Sequence, residues 1–131
     1  MIDAILADMS EPRIVTLEAQ SEIRRLEQQI RWAFAKAEAL PSSELWQFLA
    51  LGSAASTPIS SILLLRSTTA TRELATTFRS TVEAAYPAHP AELQRALQDP
   101  GIPWPGSGII WVRVNGRATT ILPGWPRGLN R

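Results

Sequence analysis

The chain has 131 residues, 45% of them apolar and 19% charged, with a net charge of +1 and no cysteine. That composition is globular, and a chain of this length can bury about two-thirds of its unfolded surface. It excludes disulfides, thiolate chemistry and cysteine-held metals, and the lone histidine, His89, excludes a multi-histidine metal site.

Charge is unevenly spread. Residues 1–44 carry eight acids and five bases, whereas residues 45–131 carry four acids and eight bases. Beyond residue 100 there are Arg113, Arg117, Arg127 and Arg131 and no acid. A basic end of this kind points to an anionic partner. The opening stretch MIDAILADMSEPR has no basic leader ahead of its apolar run, unlike a secretory signal. No unbroken apolar run exceeds four residues, Ile62–Leu65 among them, far short of the roughly 20 residues of a membrane span. The expectation is a single domain over 1–131, cytoplasmic and without a membrane partner.

Taken in order, the first predicted element is a long helix over about 12–40, with Ser10 as cap and Pro12 in the first turn. Ala19, Ile23, Leu26, Ile30, Ala33, Ala37 and Leu40 recur in steps of 4 and 3, a heptad seam. The seam serves either as one side of a core or as a dimer interface through Ile23, Leu26 and Ile30. A parallel dimer would set Glu22 against Glu27 of the partner, so antiparallel or intrachain packing is favoured. Pro41 ends this helix. A helical core over about 42–99 follows. Its first helix, SSELWQFLAL, turns Leu45, Trp46, Phe48, Leu49 and Leu51 inward. Thr57 then Pro58 restarts a second helix, PISSILLLRS, apolar on most sides and therefore central.

The next stretch, RELATTFRSTV, resembles the helix-turn-helix segment RELA…F…RSTV of many bacterial repressors, which implies a DNA-reading helix. It lacks the roughly three turn residues that such motifs carry after the phenylalanine. The spacing therefore predicts one uninterrupted helix from Thr71 to Ala85 with Leu74, Phe78 and Val82 buried. A short helix from Pro90, capped at His89 and turning Leu93, Ala96 and Leu97 inward, completes the core.

The tail differs. PGIPWPGSG is turn chemistry, and WVRVNGRATTIL is a β-hairpin over about 109–122. With Asn115–Gly116 as the loop, Val112 faces Thr119 and Trp111 faces Thr120. The base is apolar and embedded; the tip, with Arg113 and Arg117, projects. Trp104 and Trp125 bracket the strands and, with Trp111, either pack or form an apolar contact surface. The fold class expected is α+β but mostly α: about five helices around one core, then a C-terminal hairpin.

No catalytic constellation is visible: one histidine, no phosphate-cradling glycine loop, no close carboxylate pair. The expectation is a non-enzymatic regulatory protein without cofactor or metal. It self-associates as a homodimer and contacts DNA or a DNA-bound complex through Arg113, Arg117, Arg127 and Arg131. The alternative is a protein-interaction module of the immunity, adaptor or anti-sigma kind that binds another protein and no nucleic acid.

Overall fold

A computed structural model describes residues 4–8, 13–48, 58–99 and 101–126. Its centre is a five-stranded mixed sheet in the order β1–β2–β3–β4–β5: β1 Ala4–Asp8, β2 Arg13–Gln20, β3 Ile59–Arg66, β4 Gly108–Asn115 and β5 Ala118–Ile121. The outer pairs are antiparallel, and β2, β3 and β4 run parallel. Among the described residues five helices, with a short 3-10 turn at Leu40–Ser42, accompany the sheet: α1 Leu26–Ala39, α2 Glu44–Phe48, α3 Thr69–Thr77, α4 Arg79–Ala85 and α5 Pro90–Gln98. The mostly helical architecture expected above is therefore wrong. Strands lie at the N-terminal end and in the centre, and the C-terminal hairpin is only their continuation.

Two segments expected to be helices are strands. Arg13–Gln20 opens the predicted long helix, but its run Ile14, Val15, Thr16 is β-branched and stiff at χ1, which favours a pleated surface. Ile59–Arg66 was expected as the buried helix. A continuous apolar run of this length suits a strand covered on both faces equally well, as parallel strands are. Ile62 and Leu63, on opposite faces, are each 1% exposed. The heptad seam survives from Leu26 onward: Leu26, Ala33, Ala37 and Leu40 are buried and Ile30 packs on the core. Ser10, Glu11 and Pro12 lie outside the described residues.

One face of the sheet carries Leu63, Leu65, Ile109 and Trp111, covered by Leu26 of α1, Ala75 of α3, Val82 of α4 and Tyr86. The other carries Val15, Ile62, Ile110 and Val112 beneath Leu93 of α5. Leu93 is fully buried, worth about 1.5–3 kcal/mol over an exposed position. It can lie that close because Gly108 has no side chain: a Cβ there would run into Leu93 Cδ1 and sit 3.1 Å from the Ala88 carbonyl oxygen. A smaller cluster of Ile14, Leu40 and Trp46 closes the β1–β2 side. Leu45 and Phe48, expected inside, are exposed, as is Leu97 of α5; Leu49, Leu51 and Thr57 lie outside the described residues.

The single helix expected over 71–85 is broken. Phe78 takes φ −112° and ψ 35°, so α3 ends and α4 begins at one residue. Just before the break, inside α3, the Thr76 hydroxyl donates to the Arg72 carbonyl at 2.9 Å. Backbone bonds run into and out of Phe78, to the Leu74 carbonyl and from the Val82 N–H, so the break is an elbow without a separate turn. Phe78, expected buried, is 45% exposed. The start of α3 is firm: Thr68 and Thr71 cap each other, and the Thr71 hydroxyl donates to the Arg66 carbonyl at 2.6 Å, tying the helix to the end of β3.

The hairpin is present with a shifted register. Asn115 pairs with Ala118, Val114 with Thr119 and Val112 with Ile121, so the loop is Gly116–Arg117. Gly116, at φ 59°, is the residue that accepts the left-handed region, and it takes the first loop position. The slip of two residues keeps each side chain on its predicted face.

Candidate nucleic-acid interface

Because β2, β3 and β4 are parallel, their carboxyl ends lie at one end of the sheet. In open α/β sheets that end is where ligands are received. Arg24 and Arg25 follow β2, Arg66 ends β3, and Arg113 lies near the end of β4. Arg72 of α3 donates to the Ser67 hydroxyl at 3.0 Å, just past β3. Arg117 sits in the loop after β4. Pairing with β3 stops at Val112, so Arg113, Asn115 and Arg117 ride on a tip that projects beyond the sheet. From β2 to β5 the row spans three strand gaps, roughly 14 Å.

Arg113 and Arg117, anticipated from the hairpin, are exposed at this end. Arg127 and Arg131 lie outside the described residues. Arg24, Arg25, Arg66 and Arg72 escaped the sequence reading because they sit in unrelated segments with no local pattern. Arg24 bonds the exposed Glu22 at 3.4 Å. Arg25, Arg31, Arg66, Arg113 and Arg117 have no ion-pair partner among the described residues. Glu27 lines a cleft together with Arg24, Arg25 and Arg31, and Glu73 follows Arg72 in the chain.

The apolar candidates sit elsewhere. Leu26 and Trp111 are buried in the main cluster, and Ile23, Ile30 and Trp125 pack against it. Trp104 packs on the opposite cluster. Trp125 leans on Trp111 with ring centres 5.7 Å apart and lies under the Arg79 guanidinium at 4.8 Å, while Arg79 also bonds Glu83. The indole N–H groups of Trp104 and Trp111 are buried without an acceptor among the described residues. Of the two self-pairing surfaces expected for a dimer, the seam faces the core, and β3 covers one flank of the hairpin. The outer edge of β5 stays exposed.

One polar cluster lies inside the fold. Glu18 on β2 is 4% exposed and accepts from Lys36 Nζ at 2.9 Å and Gln29 Nε2 at 2.8 Å, both from α1. Beside it the Thr16 hydroxyl donates to Ser61 Oγ at 3.0 Å. Tyr86 lies close enough to Glu18 that burial, with help from that carboxylate, pushes its phenol up to about 12. Glu18 was not anticipated because Arg13–Gln20 reads as the start of a helix; in the strand it forms, Ile14, Thr16 and Glu18 share one face, and all three are buried. The pairing holds α1 on the sheet and so fixes where Arg24 and Arg25 emerge.

No protein-family model, no curated protein and no solved structure matches the chain. Among the described residues no helix is long and apolar enough to cross a membrane.

Proposed function

We propose that the protein is a non-enzymatic regulatory protein that contacts nucleic acid through the arginine-rich carboxyl end of its sheet. The observation that carries this reading is the convergence of Arg24, Arg25, Arg66, Arg72, Arg113 and Arg117 from four chain segments, most of them without an acid partner among the described residues. Arginines freed in this way bind phosphates, and each phosphate neutralised releases counterions and steepens the salt dependence of binding.

The test is a titration of wild type and the double variant Arg113→Ala, Arg117→Ala against one labelled duplex at several salt concentrations. The salt slope should flatten by up to about two units, with affinity lost evenly across sequences. Identical slopes would remove the hairpin tip from the contact. A protein partner is the second reading, favoured by Trp32, Leu45 and Phe48, which are 54%, 41% and 84% exposed. Failure of the wild type to bind any oligonucleotide at low salt transfers the assignment to that reading.

A further inference from the structure

We propose that the ligand of this end is single-stranded nucleic acid, with one base stacked on Phe78 in the cleft between α1 and the elbow of α3 and α4. The inference rests on the nucleic-acid reading above and names its substrate class. The cleft holds about 480 Å³, within the usual range for a small-ligand site. Arg24, Arg25, Glu27, Gln28 and Arg31 from the start of α1 line it, opposite Leu74 and Phe78.

Three features select a base. The elbow leaves Phe78 45% exposed, on the same cleft as Arg24, Arg25 and Arg31. Such a ring offers a stacking face to any unpaired base, and guanidinium planes do the same. Arg25 and Arg31 have no acid partner among the described residues, although Glu27 stands one helical turn before Arg31. Their charge is free for the phosphates on either side of the stacked base. Glu27 also discriminates between ligands. Its carboxylate repels a simple anionic headgroup but accepts a hydrogen bond from a base amino group, while the Gln28 amide can both donate and accept at a base edge. A base within a duplex cannot reach Phe78 without being unstacked, at a cost of a few kcal/mol. The strand would then run from this cleft along the arginines that follow β2, β3 and β4.

The experiment is fluorescence anisotropy of the full chain with a labelled oligodeoxycytidylate of about 12 nucleotides, whose bases each carry an amino group, and with a duplex of equal length. Wild type should bind the single strand more tightly. Phe78→Ala should weaken single-strand binding about 5- to 150-fold and leave the salt slope and the duplex affinity unchanged. Phe78→Leu, which keeps an apolar side chain but no ring face, should lose nearly as much, and Phe78→Trp should retain binding. Circular dichroism of each variant confirms the fold. If Phe78→Leu binds the single strand as wild type does, stacking is overturned while the nucleic-acid reading stands. Equal or tighter binding of the duplex also overturns the inference. Absence of binding to either probe removes the nucleic-acid reading and the inference together.

Discussion

Raising the pH should destabilise this protein through one phenol. Tyr86 closes α4, is 4% exposed, and stacks on Phe34 with ring centres 6.0 Å apart. Burial first, and the Glu18 charge second, push its phenol up from 10.0 to about 12. Below the unfolded value the phenol is neutral in both states and the native advantage is complete. As pH rises through the window from 10.0 to about 12, the unfolded chain releases a proton that the folded chain retains, so stability falls. Two pH units correspond to about 3 kcal/mol, a large share of the roughly 5–15 kcal/mol that holds most domains folded. The chain has a single tyrosine, so phenolate absorbance reports this group alone. The native protein should titrate near 12 or ionise together with its cooperative unfolding, and the urea-unfolded chain should titrate near 10. Glu18→Gln should lower the native midpoint yet leave it above the unfolded one, because burial is the larger cause. Tyr86→Phe should abolish this part of the alkaline loss; whatever loss persists belongs to other groups. Phenolate appearing near pH 10 with an unchanged dichroism spectrum would refute the burial argument.

The Glu18–Lys36 pair should respond unequally to loss of either partner. The Glu18 side chain is 5% exposed and that of Lys36 is 31%. Lys36→Met strands a buried carboxylate on Gln29 alone and should cost about 3 kcal/mol or more, whereas Glu18→Gln leaves an ammonium able to reach water and should cost about 1–2 kcal/mol. Urea unfolding that ranks the two variants the other way would count against this account. Gly108→Ala should lower stability by about 1–3 kcal/mol by pushing α5 off β4, since the backbone oxygen of Ala88 cannot step aside as a side chain would; a urea midpoint equal to wild type would show that α5 is not seated as described.

Much of the local structure is written in the residues themselves. The hairpin at Gly108–Ile121 follows from β-branched strands around a glycine, α5 from His89 and Pro90, and the core face of α1 from the spacing of Leu26, Ala33, Ala37 and Leu40. These signals are local, so chain neighbours suffice to read them. Other features were decided only by tertiary contacts. An eight-residue run such as Ile59–Arg66 is apolar enough for a buried helix or a buried strand, and only the presence of β2 and β4 on its two flanks makes it a strand. Arg13–Gln20 hides its pattern because a polar strip, Thr16 and Glu18, faces inward, tolerable only once Ser61, Gln29 and Lys36 arrive from elsewhere in the chain. Phe78 is apolar and helically spaced, yet the elbow between α3 and α4 falls on it and leaves it exposed. The candidate site is illegible in sequence for the same reason. Arg113 and Arg117 stand out beside the hairpin turn, but Arg24, Arg25, Arg66 and Arg72 are ordinary surface residues until three parallel strands bring their carboxyl ends together. Parallel pairing joins segments dozens of residues apart, and no short-range pattern records which ends will meet.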